Sequence, residues 1–150
     1  MSRADVAPAD TERAVRIDLA AVRHNVGVLR ERIRRPDGSR PLLTAVVKAD
    51  AYGHGAVAVA RAAAAAGADR LGVAHVREAL ALRAAGVRLP VLAWLHTGAT
   101  DFAAAVEAEV TLGVSGWDLD AVADAVRGLR ARGGAGPCLF YPSDAADEYR

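Results

Sequence analysis

Lysine is almost missing from this 150-residue chain: of nineteen basic residues, eighteen are arginine and the exception is Lys48. Cysteine is as scarce. The single Cys138 leaves no partner for an intrachain disulfide and fits a reducing compartment. A surplus charge is absent too. Nineteen basic residues face eighteen acidic ones, and a net charge of +1 offers no footing for nucleic acid or an anionic membrane surface. The longest apolar runs are alanine-rich and too short to span a bilayer. The opening "MSRADVAPADTER" is polar and lacks the basic, apolar, small-residue order of a signal peptide. These absences lead to the expectation of a cytoplasmic protein without nucleic-acid or membrane partners. What is present is a globular composition, 53% hydrophobic and 25% charged, long enough for one sizeable core.

Residues 1–14 hold little apolar matter and read as a flexible tail. In "IDLAAVRHNVGVLRERI", Leu19, Val22, Val26, Leu29 and Ile33 recur at steps of three and four, with Asp18 as N-cap, which predicts an amphipathic helix. "RPDGS" ends it. Strand and helix patterns then alternate: strands over Leu42–Ala49, Arg70–His75, Pro90–Leu95 and Glu109–Ser115, and helices over Ala56–Gly67, Val76–Gly86, Ala99–Ala108 and Asp118–Gly134. Thr100 or Asp101 caps the third of these helices, and "SGWDLD" reads as a cap with an anchoring Trp117. "CLFY", from Cys138, has the composition of a further strand. The strands are apolar throughout rather than alternating, as in parallel sheets covered by helices. The fold class is α/β, either an open doubly wound sheet or part of a (β/α)8 barrel, with room for four or five units.

The segment "TAVVKADAYGHG" sets a charged amine at the end of an apolar strand. In such folds the C-terminal ends of the strands carry the chemistry. Burial there disfavours an ammonium, and a deprotonated lysine amine condenses with aldehydes, of which pyridoxal phosphate is the commonest cofactor. Tyr52 is placed to donate its hydroxyl to a phosphate or to the lysine, and Gly53 and Gly55 would let helix amides approach an anion. The plainer reading stays open: a strand-end lysine that snorkels to solvent. "GHG" has neither the spacing of a phosphate loop nor that of a dinucleotide fingerprint. His54 and His75 have no second His or Cys at ligand spacing, so no metal site is assigned, and Trp94 reads as packing.

"AVVKADAYGHG" closely resembles the cofactor-lysine motif of bacterial alanine racemases. "IDLAAVRHNVGVLR", "GADRLGVAHVREALALRAAGV" and "PVLAWL" resemble that family's flanking segments in the same order. The resemblance implies a partial (β/α)8 barrel over residues 15–136, pyridoxal 5'-phosphate as cofactor, alanine as substrate and a homodimer. Lys48 would hold the cofactor and act as base on one face of the substrate, and Tyr52 would lie near the cofactor phosphate and the lysine. The activity implied is interconversion of L- and D-alanine, which supplies D-alanine to the cell wall. Residues 137–150 depart from the family pattern, and the family's later strands and its second catalytic tyrosine have no counterpart. The expectation is therefore a truncated chain, inactive alone, that self-associates. The alternatives are a non-catalytic remnant, a weak cofactor-binding module, or another pyridoxal-phosphate protein of the same fold.

Overall fold

The computed structural model describes residues 14–134 and 139–140; the expected tails lie outside them, apart from residues 14, 139 and 140. The first described element is α1 (Leu19–Arg32), and the Asp18 carboxylate caps it by accepting from the Ala20 and Ala21 amides at 2.8 and 3.1 Å. The described strands that follow are short: β1 (Thr44–Val46), β2 (Arg70–Val73), β3 (Val91–Ala93), β4 (Val110–Gly113) and β5 (Leu139–Phe140). Between them run α2 (Lys48–Gly53), α3 (Ala56–Ala65), α4 (Val76–Ala84), α5 (Phe102–Glu107) and α6 (Leu119–Ala131). Asp101, not Thr100, caps α5, accepting from the Ala104 amide at 2.9 Å.

The pairings between these strands are all parallel, and the spatial order β1-β2-β3-β4-β5 repeats the chain order. That order decides between the two architectures. A doubly wound sheet reverses direction at a switch point, whereas a barrel adds each strand beside the last. The described strands form an arc of a (β/α)8 barrel.

The register sorts side chains between two faces. Ala45, Leu71, Val91 and Val110 share one row, and Val73, Ala93 and Leu112 another, and all but Ala45 are fully buried beneath the helices. Phe102, Val106, Leu82 and Val122 complete this core from the helix side. Val46, Gly72, Leu92 and Thr111 form the intervening row on the opposite face, where Val46 is 50% exposed. Continuous apolar runs give no alternation from which to read these faces: Val46, Val73 and Leu92 all read as barrel-interior residues, but Val73 lies on the other face and packs under the helices. Trp117 also departs from expectation: it is exposed, and the buried anchor beside it is Asp118, whose carboxylate accepts from the Ser115 amide at 2.7 Å.

The α1 helix is tied to the sheet by charge as well as packing. Arg30 donates to the Gly67 carbonyl and, at 2.9 Å, to Asp69, and Asp69 also accepts from the Leu43 amide at 2.8 Å. The Leu43 amide, aided by Arg30, holds the Asp69 carboxyl below its usual range. At the other end of α4, Arg83 donates to the carbonyls of Val87, Leu89, Ala108 and Glu109. One guanidinium thus joins the α4–β3 and α5–β4 loops, a task suited to its forked donors.

Candidate functional site at the carboxyl end of the first strand

The sequence predicts a strand through Ala49, but β1 ends at Val46. Val47 prolongs the pairing by one bond, donating to the Gly72 carbonyl at 2.8 Å. The backbone then turns the unusual way. Ala49, Asp50, Ala51 and Tyr52 all have φ between 52° and 55° and ψ between 41° and 47°, a complete left-handed helical turn built from L-residues without glycine. Each such residue costs about 1–2 kcal/mol, so the turn carries about 4–8 kcal/mol of conformational cost. Gly53 and Gly55 follow at φ 82° and 87°, where a glycine is needed for its backbone freedom and not for lack of room: an added methyl would meet open space at Gly53 and only Ala58 Cβ, at 4.0 Å, at Gly55.

Several hydrogen bonds offset that cost. The Ala51 amide donates to the Val47 carbonyl at 3.0 Å, and the Gly55 amide to the Asp50 carbonyl at 3.0 Å. His54 Nδ1 lies 2.7 Å from the Ala51 carbonyl. The Asp50 carboxylate accepts from the Ala56 amide at 2.6 Å, capping α3. The first amide of α3, read from the sequence as available to an anion, is therefore already bonded within the chain. At the start of the turn the Ala49 amide donates to Glu78 Oε1 at 2.7 Å, while Glu78 Oε2 accepts from the Ala74 and His75 amides, each at 2.9 Å. Partial burial opposes the charge on Glu78, but these three amides, together with His75 nearby, outweigh it and hold its carboxyl below the usual range.

Lys48 opens the turn. It is half-buried rather than enclosed, and its Nζ lies 4.9 Å from the centroid of the Tyr52 ring, within cation–π range. Tyr52 itself is 68% exposed. The structure thus brings the two residues singled out from sequence into contact. The sheet face away from the helices carries Val46 and Gly72. Trp94 lies across that face. A methyl on Gly72 would come within 2.8 Å of the indole and 3.3 Å of Val46 Cγ2, and one on Gly113 within 3.1 Å of Trp94 Cβ. Gly72 makes room for the ring and Gly113 for the Cβ that carries it, which is the packing role expected of Trp94.

Among the described residues no three His, Cys, Asp or Glu side chains gather as a metal site. His75 Nδ1 and His96 Nε2 instead meet the carbonyls of Leu95 and Gly113, at 3.1 and 2.9 Å. A separate hollow of about 260 Å³ is lined by His75, Arg77, Leu80, Thr97 and Asp101, and neither Lys48 nor Tyr52 is in its wall. Glu78 is the site residue that sequence reasoning missed. Its position three residues after His75, at the head of a helix, is a signal for capping, but nothing local announces its bond to Ala49.

No described helix is long and apolar enough to cross a membrane. Residues 17–135 match the sequence profile of the alanine racemase N-terminal domain. The chain is 60% identical over 99 residues to an alanine racemase of Mycolicibacterium smegmatis, covering 66% of this chain and 24% of that protein. It is 54% identical over 112 residues to an alanine racemase of Mycobacterium tuberculosis, covering 74% of this chain and 28% of the relative. The crystal structure of the alanine racemase from D-cycloserine-producing Streptomyces lavendulae superposes with a TM-score of 0.70 at 43% identity, covering 88% of this chain and 36% of that one. The chain spans about a quarter of the length of the curated relatives it matches. With the barrel arc, the lysine at its carboxyl end and a profile match over most of its length, the chain belongs to the alanine racemase family.

Proposed function

We propose that this chain carries the cofactor-binding lysine of a pyridoxal-phosphate-dependent alanine racemase, an enzyme interconverting L- and D-alanine. The observation that carries the reading is the position of Lys48, the chain's one lysine, at the carboxyl end of β1 and 4.9 Å from Tyr52. These residues fit the group. A half-buried primary amine is the side chain that condenses with an aldehyde, and the exposed Tyr52 has a hydroxyl to offer to a phosphate. When bound, pyridoxal phosphate supplies an electron sink that makes the substrate's α-proton acidic. Lys48 Nζ would remove or return that proton on one face of the α-carbon. Racemisation requires a second acid–base group on the opposite face, and no described residue is assigned that role. The proposal for this chain is therefore cofactor attachment and one of two proton transfers. Supply of D-alanine to the cell wall, a cytoplasmic location and a homodimeric assembly go with the same reading.

The test uses the chain's composition. Incubation with pyridoxal phosphate followed by borohydride and peptide mapping should label Lys48. Label confined to the N-terminal amine would overturn the reading. A second observation bears on turnover. Each acid–base group contributes roughly 10²- to 10⁴-fold, so a chain in which Lys48 acts without an opposite-face partner should convert alanine slower by that factor than an enzyme with both groups. Brisk conversion by the 150-residue chain would mean that it holds a second proton donor.

A further inference from the structure

We propose that Glu78 is a positioning residue, a bolt that holds the left-handed turn in place and so aims Lys48 and Tyr52. For its bearing on the cofactor, the inference rests on the function proposed for Lys48. Its structural half stands independently. The turn strains four consecutive L-residues, and four of its bonds are made within its own segment: to the Val47 carbonyl, to the Asp50 carbonyl, to the Asp50 carboxylate, and between His54 and the Ala51 carbonyl. Bonds of that kind set the turn's internal shape but not its placement on the sheet. Glu78 reaches in from the next βα unit. One carboxylate oxygen takes the Ala49 amide, next to Lys48, and the other takes two amides at the end of β2. A carboxylate suits this position because it presents only acceptors to three converging N–H groups. The same side chain caps α4, so the bolt is anchored to a helix whose start is fixed.

Glu78→Gln separates the two tasks. Its amide oxygen can keep the Ala74 and His75 amides and preserve the cap, which tolerates Gln, but its NH2 then faces the Ala49 N–H. In the full chain without cofactor, exchange of the Ala51 and Gly55 amides should accelerate roughly ten- to a hundredfold, the loss expected of a charged hydrogen bond. Amides within α4 should keep their rates. With pyridoxal phosphate and borohydride, labelling of Lys48 should fall relative to the N-terminal amine, which serves as internal reference. Adding Ala49→Gly should restore much of that labelling, because glycine adopts φ near 52° without strain and needs the bolt less. A role confined to capping α4 predicts no such rescue. Glu78→Asp, which keeps the charge at the head of α4 but shortens the reach to Ala49, should behave like the Gln variant and serves if that one fails to fold. Unchanged exchange at Ala51 and Gly55, or no recovery on adding Ala49→Gly, would overturn the proposal. Absence of label on Lys48 in the unmodified chain would instead defeat the cofactor reading, leaving the exchange measurements to decide on the bolt.

Discussion

The two ends of α4 use the same device with opposite charges. At its start Glu78 gathers backbone N–H groups, and one of them belongs to Ala49, held at φ 52°. Toward its end Arg83 gathers backbone carbonyls, and one of them belongs to Glu109, held at φ 53°. In each case a charged side chain pins a non-glycine residue in the left-handed region, and the sign of the charge complements the helix dipole. The settings differ. At the amino ends of the strands a single left-handed residue makes a corner, and every partner of Arg83 is a loop carbonyl. At the carboxyl ends four left-handed residues run together, and the chain's one lysine precedes them. Barrels keep their chemistry at the carboxyl face and their stability at the other, and strain concentrates where function is.

The comparison breaks most sharply at Lys48. Lys48→Ala should abolish side-chain labelling by pyridoxal phosphate and borohydride completely, because no other lysine exists to take it. Arg83→Ala should do the reverse, costing about 2–3 kcal/mol in urea denaturation through loss of hydrogen bonds from a charged donor while leaving the Lys48 label unchanged. A drop in labelling with that variant would show that the two ends are coupled. Gly72→Ala should cost about 1–3 kcal/mol, since the new methyl crowds the indole of Trp94 at 2.8 Å, and it should alter the near-ultraviolet circular dichroism. The smallest effect concerns pH. The Glu78 carboxyl is held below its ordinary 4.5, so its contribution is complete above that value and is lost as pH falls through the lower folded value. The difference in denaturation midpoint between the unmodified chain and Glu78→Gln should therefore shrink as the pH is lowered from 4.5.

Much of the fold is legible in the sequence because alternation of apolar runs with Gly-terminated helices is a strong pattern. Each predicted helix from α3 to α6 is present, as are all the strands. The losses have identifiable causes. The β1 strand reads through Ala49 because Val46, Val47, Lys48 and Ala49 give no stop signal, and Ala-Asp-Ala-Tyr contains none of the glycines that ordinarily mark a left-handed turn. One of the bonds that hold that turn comes from a partner 29 residues away, and local propensity is blind to it. Lys48 and Tyr52 can be singled out in the sequence because residue type and strand-end position point to chemistry. Their mutual contact cannot be, since it depends on the hand of the backbone between them.

That hand has one further consequence. Mirror symmetry makes the left-handed region the comfortable one for D-residues, so the cost borne by Ala49 and Ala51 is a cost of their chirality alone. A semisynthetic chain with D-alanine at both positions would hold the same turn without the torsional penalty. The segment proposed to help make D-alanine is thus folded into a shape in which D-alanine would be the better building block.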